Sequence, residues 1–302
     1  MLDNRIIISN FTSRDKAYIP ENYKFFNTDD EQKFIKNCKS LDPMLSNWKY
    51  RDLELNYSMN NIGMRVKHID TDEHYITEDY DWSDKILLLG CSHVQGLGVR
   101  YEDTIGETIA KQTSMKVVNW GVSASGPDTI FANAMWVATQ RNRPYRIIIL
   151  WPESSRFYYF CPKSKRVIFY APNIPSMIKN VKNYFTDRYL VGDVQGLHLD
   201  YYRDVLRNVY GDRMIEFNIL NSEKRYLLSS DEKKFLKDIY EEHEHCETNK
   251  NYSEYLNKWF GRDISIVDNM KQMNNVTRQS NILGHAGSYK NKLIGEFISK
   301  QL

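Results

Sequence analysis

Three short apolar runs alternate with helical patterns between residues 85 and 151, and no other feature of the chain narrows its fold as much. Positions 86–89 are apolar throughout, and 147–150 read Ile-Ile-Ile-Leu. A strand that is apolar on consecutive positions hides both of its faces, as strands of a parallel sheet under helices must. A helix is expected over 104–113, a second strand over 115–119, a helix over 127–140 and a third strand over 146–151. Pro127 suits the first turn of its helix, where its missing N–H costs nothing. Right-handed crossovers between such units give an α/β fold, a doubly wound parallel sheet sandwich.

The functional edge of a sheet of this kind lies at the carboxyl ends of its strands. Ser92, Asn119 and Trp151 fall there. Ser92 follows Gly90 by two residues, and Gly96 and Gly98 come shortly after it. A strand, an abrupt turn and a helix in that order lift a side chain to the sheet edge. A serine there either caps local backbone or serves as a nucleophile, and the second role needs a base within hydrogen-bond reach.

Gly90-Cys91-Ser92 with Gly96 and Gly98 resembles block I of the SGNH/GDSL hydrolases, with Cys91 where that family usually has aspartate. The stretch Tyr57-Ser-Met-Asn-Asn-Ile-Gly-Met-Arg65 looks like the Asn-x-x-Gly-Phe-Arg lead-in of some SGNH domains. Val117-Val-Asn-Trp-Gly-Val-Ser123 is similar to block II, and Gly284-His-Ala-Gly-Ser288 to block V. The resemblance, which spans about residues 57–300, implies a serine esterase with Ser92 as nucleophile and His285 as base. It implies an oxyanion hole from the Ser92 N–H and a second-strand loop N–H. Counting from Asn119, that donor is Ala124, or Gly126 if the alignment slips. His93, beside Ser92, is the rival base.

Two family features have no counterpart. The block III segment 151–156 reads Trp-Pro-Glu-Ser-Ser-Arg, without the asparagine donor, and Ile282 stands where Asp-x-x-His would put the acid. Asp268 is the nearest alternative acid, Gln279 another occupant of that place, and a backbone carbonyl or a bare dyad completes the choices.

Residues 1–80 read as an N-terminal extension packed on the core, with a helix over 29–38 and an edge strand at 53–57. Residues 81–302 read as the hydrolase-like domain, with a helical insertion over about 192–262 in which no fourth strand is legible. Segments 156–160 and 166–170 are two paired strands or an excursion over the active edge. A short strand is expected at 263–267 and a closing amphipathic helix at 288–300.

A net charge of +2 gives no case for nucleic acid or membrane as a partner. Four scattered cysteines without a CxxC argue against dependence on disulfides and for a cytoplasmic or virion-associated protein. No run suits a signal peptide or a spanning helix. No metal is expected, because His243 and His245 lie two apart and cannot share a helical face. No cofactor motif is present. The expected partner is a small-molecule or glycan ester, a carbohydrate O-acetyl group above all, since no lipid-sized apolar lid is evident. The abundant aromatics (21 Tyr, 13 Phe, 6 Trp) fit either a carbohydrate-facing surface or a tyrosine-rich core periphery. The other classes kept open are a non-catalytic binding or structural protein on the same fold, for which the Lys/Asn/Tyr-rich composition suits a viral source, and an acyltransferase.

Overall fold

The computed structural model describes residues 21–27, 29–40, 45–69, 76–77, 79–153, 156–161, 166–170, 192–218, 228–248, 252–266, 282–283 and 285–302. In chain order these form β1 (Glu21–Tyr23), α1 (Glu31–Lys39), β2 (Tyr57–Met59), β3 (Arg65–Val66), β4 (Lys85–Gly90) and α2 (Ser92–Gln95). There follow α3 (Ile105–Thr113), β5 (Lys116–Gly121), α4 (Pro127–Ala138), β6 (Arg146–Leu150), β7 (Phe157–Cys161) and β8 (Arg166–Tyr170). The remainder is α5 (Gly192–Tyr210), β9 (Met214–Phe217), α6 (Ser230–Thr248), α7 (Tyr252–Trp259), β10 (Ser265–Ile266), β11 (Ile282–Leu283) and α8 (Ser288–Ser299). Two compact units result: residues 59–95 and 115–232 in the first, residues 21–58, 96–114 and 233–302 in the second. This division cuts across the sequence boundary at residue 80.

The first unit is built on a four-stranded sheet of order β5-β4-β6-β9, and every neighbouring pair in it is parallel. The fold is therefore α/β with a parallel sheet. From β4 the chain goes to β5 on one side and then to β6 on the other, so the strand order reverses at the carboxyl end of β4. Leu87, Leu89, Ile147 and Ile149 join one apolar cluster, while Ile86, Leu88, Ile148 and Leu150, pointing the other way, are buried as completely. Full burial of each such side chain is worth about 1.5–3 kcal/mol. Trp82 and Trp120 meet edge to face at 5.3 Å within the cluster. Helix α4 adds Ile130, Ala134 and Val137, spaced to lie on one face. Helix α5 adds Leu199, Leu206 and Tyr210, whose hydroxyl donates to the Ala134 carbonyl at 2.6 Å.

Strand β9 is a fourth strand inside the stretch expected to be helical. Its apolar pattern, Met-Ile-Glu-Phe, is broken by Glu216, which receives Trp151 Nε1 at 2.6 Å, Arg203 Nε at 2.8 Å and Arg207. An edge strand carrying a partly buried carboxylate lacks the continuous apolar run that marked β4 and β6. Segments 157–161 and 166–170 form an antiparallel pair.

The second unit has its own core of Leu45, Trp48, Tyr50, Leu55, Ile239, Tyr255, Leu256, Trp259 and Ile264. Helix α1 is capped by Asp30, whose carboxylate accepts the Lys33 N–H at 2.8 Å. Asn37 on that helix donates to the Ile264 carbonyl at 2.9 Å. Helix α8 lies on α3 where Gly295 faces Thr108, and a Cβ at 295 would sit 2.6 Å from the Thr108 Cβ. Leu55, expected in an edge strand, instead fills this core, and the strand begins at Tyr57. Among the described residues no helix is long and apolar enough to cross a membrane.

Candidate active site

Ser92 is the first residue of α2, a single turn that starts two residues after β4 ends. The turn is tight enough to require glycine at its rim. A Cβ at Gly90 would lie 2.3 Å from Val94 Cγ2 and 3.2 Å from the Leu150 carbonyl oxygen. A Cβ at Gly121, at the end of β5, would lie 2.1 Å from the Gln95 nitrogen and 2.6 Å from its Cα. Both obstacles at 121 are backbone, so relief requires moving the helix that carries Ser92. Gly121→Ala is expected to cost about 1–3 kcal/mol, as overpacking does, read as a lower denaturation midpoint in urea.

Asn119 reinforces the same approach. Its Nδ2 donates to the Val94 carbonyl at 2.7 Å, and its Oδ1 accepts the Gly121 N–H at 3.0 Å. Both ends of the amide are thus engaged with backbone, and Asn119 acts as a clamp between β5 and α2. Arg65 holds the helix from its other end, donating through Nη1 to the Gln95 carbonyl at 3.2 Å. The Asn-x-x-Gly-x-Arg segment explains how it gets there. Asn60 Oδ1 accepts the Ile62 and Met64 N–H groups at 3.2 and 2.9 Å, and Gly63 has φ 75°. The reading of that segment as a lead-in did not reveal that its arginine terminates the helix of Ser92.

The loop after β5 folds back over the end of β4. The Val122 N–H and the Ser125 hydroxyl both donate to the Gly90 carbonyl, at 3.0 and 3.2 Å, and Ser123 donates to Gln95 Oε1 at 2.8 Å. Ala124 sits in this loop with φ 59°, a left-handed conformation that costs a non-glycine residue about 1–2 kcal/mol. The alanine therefore keeps a backbone shape natural to glycine. Gly126 is the N-cap residue of α4 in extended conformation, followed by Pro127. In the first turn of α4, burial pushes the Asp128 carboxyl up to about 6, although it accepts the Tyr158 and Thr129 N–H groups, each at 2.7 Å.

In the second unit His285 and Asp263 form a close pair. His285 Nδ1 lies 2.5 Å from Asp263 Oδ2, and the His285 backbone N–H donates to Asp263 Oδ1 at 3.1 Å. The antiparallel ladder explains the meeting: Ser265 faces Leu283, and two steps outward in the same register Asp263 faces His285. The Asp263 side chain is 2 % exposed and that of His285 17 %, so the acid is shut off from water while the ring is reachable. Burial alone would raise the Asp263 carboxyl; the charge and hydrogen bonds of His285 prevail and hold it at about 2. An ionised carboxylate on Nδ1 fixes the proton there and leaves Nε2 as the acceptor, the tautomer a general base needs.

The loops around this pair are set by close backbone approach. Gly98, with φ 77°, lies so near that a Cβ would be 2.6 Å from Asp263 Oδ1, and its carbonyl accepts the Arg262 N–H at 2.6 Å. The Gly261 N–H donates to the His285 carbonyl, and the Gly287 N–H to that of Trp259, both at 2.9 Å. Gly98 thus serves the acid's loop.

Of the residues expected from sequence, Ser92, Asn119, Ala124 and Gly126 lie in the first unit and His285 in the second, while Asp268 and Gln279 fall outside the described residues. Ile282 stands in β11 opposite Ile266. The carboxylate on the ring is Asp263, which sequence reasoning passed over because it lies 22 positions before His285. Its signal was the register of two very short strands. In the block III segment Glu153 pairs with Arg156 at 3.1 Å. Among the described residues no cluster could hold a metal ion.

No protein-family model matches the chain, and no curated protein matches it. A solved structure of a candidate lipolytic protein of the G-D-S-L family from Desulfitobacterium hafniense aligns with 73% of this chain and 100% of its own, at 12% identity and a TM-score of 0.32. A likeness that loose decides nothing about fold or chemistry.

Proposed function

We propose that the protein is an SGNH-like serine hydrolase acting on a carboxylic ester. The observation that carries this reading is the His285–Asp263 pair, a partly buried imidazole whose Nδ1 lies 2.5 Å from a buried carboxylate held at about 2. Ser92, at the strand-order reversal where α/β sheets bind ligands, is the nucleophile in this reading. Its Oγ attacks the ester carbonyl while His285 Nε2 takes its proton. The Ser92 N–H and the N–H of Ala124, or of Gly126, receive the negative charge on the carbonyl oxygen. His285 returns the proton to the departing alcohol, and a water, activated by the same ring, releases the acid from Ser92. Asp263 stays ionised throughout and stabilises the imidazolium. No cofactor is required. A carbohydrate O-acetyl group is the proposed substrate.

The test uses a fluorophosphonate probe, which labels activated serines, together with turnover of p-nitrophenyl acetate. Ser92 should carry the label in the wild-type protein, and both labelling and turnover should vanish in Ser92→Ala. Ser92 is buried, so the variant should lose no more than about 0.5–1.5 kcal/mol of unfolding free energy, the worth of one hydrogen bond. Loss of labelling in His285→Gln as well ties both residues to one reaction. A wild-type protein that neither labels nor turns over esters would instead be a binding module. Glu153 bonded to Arg156, where the resembled family carries an asparagine donor, is the observation that favours that second reading.

A further inference from the structure

The residue before the acid is an arginine, and its charge is disposed of separately. Arg262 and Asp263 are adjacent, opposite in charge and both buried. Left alone, a buried guanidinium beside a buried carboxylate would pair with it, and the carboxylate would be shared between the guanidinium and the His285 ring. Each instead has its own partner. Arg262 reaches Asp29 with Nε at 3.0 and 3.1 Å from the two carboxylate oxygens and Nη2 at 2.8 Å. It also donates to the Lys24 carbonyl and lies over the Phe25 and Phe34 rings, 4.5 and 5.3 Å from their centroids. Tyr57 fixes Asp29 in turn, its hydroxyl donating to Oδ2 at 2.5 Å. The same hydroxyl accepts the Gly98 N–H at 2.9 Å, and the Gly98 carbonyl takes the Arg262 N–H. Gly98, the residue packed against Asp263, is therefore held through both its N–H and its carbonyl by this network.

We propose that Asp29 and Tyr57 are positioning residues for the His285–Asp263 pair, drawing the Arg262 guanidinium away so that it does not compete with His285 for Asp263. Neither touches the ring; both act through Arg262 and Gly98. The role bears on catalysis only through the hydrolase reading, whereas the pairing itself can be measured without turnover. A histidine proton shared closely with a carboxylate gives a low-field proton resonance outside the amide envelope, and His285→Gln assigns it. In Asp29→Asn the freed guanidinium should engage Asp263, and the resonance should be lost or move upfield. In Asp29→Asn with Arg262→Gln no guanidinium remains to compete, and the resonance should return. Ile239→Val, which loosens the same core without touching the network, should leave it in place.

Persistence of the wild-type resonance in folded Asp29→Asn overturns the proposal, as does failure of the double variant to restore it, loss in the Ile239→Val control, or absence from the wild-type protein. If Asp29→Asn does not fold, Tyr57→Phe decides: an upfield shift reversed by Arg262→Gln supports the proposal, and an unmoved resonance ends it. The predicted resonance pattern in a protein that turns over no ester would sink the hydrolase reading and leave this one standing.

Discussion

Asp263→Asn is expected to lower p-nitrophenyl acetate turnover by about 10⁴ in kcat, the loss that the equivalent change produces in a serine protease triad. The amide keeps the shape but cannot stabilise the imidazolium, and it presents an N–H or a neutral oxygen to a ring that needs an anion. A rate within tenfold of wild type would show that another group orients His285. The same variant should alter acid stability. An aspartate near 3.9 when unfolded and about 2 when folded stabilises the fold in its ionised form. That contribution is complete above about pH 4 and is lost as pH falls toward 2, amounting to about 2–3 kcal/mol. Plots of unfolding free energy against pH should therefore be flatter in Asp263→Asn across that window.

Arg262→Met is expected to destabilise the protein by about 3–5 kcal/mol, because it leaves the Asp29 carboxylate buried without its cation. Removing both charges together, as Asp29→Leu with Arg262→Met, should recover much of that loss, since an apolar pair has no charge to desolvate. Urea denaturation of the wild-type protein and the two variants measures both differences. A single variant that loses less than about 1 kcal/mol would mean that water reaches Asp29 once the arginine is gone.

The sheet was legible in the sequence where burial was two-sided. β4 and β6 have no polar position between Ile86 and Leu89 or between Ile147 and Leu150, and such runs have few other uses. β9 escaped because Glu216 satisfies two arginines and a tryptophan from within the strand, a pattern no period reveals. The place of Ser92 at the end of β4 was legible from Gly90, which the tight turn requires, whereas Gly98, read as part of the same turn, packs against Asp263. Asp263 was not, because its link to His285 is a cross-strand contact between two strands of two residues each. Asn119 stands at the carboxyl edge as expected, but its bonds to Val94 and Gly121 depend on how β5 and α2 approach each other and so could not be read from the chain.

The second unit is assembled from stretches far apart in the chain. Asn37 bonds to Ile264, Asp29 to Arg262 and Lys49 to Ser288, across separations of 227, 233 and 239 residues. On a ribosome adding about 5–20 residues per second, residues 21–58 emerge on the order of ten to thirty seconds before residue 233. Through that interval Leu45, Trp48, Tyr50 and Leu55 have no core to enter, because the side chains that bury them have not been made. The nascent chain must carry a cluster of large apolar groups unprotected for longer than most folding steps take, and synthesis without a holding chaperone should yield aggregate before it yields the histidine–aspartate pair.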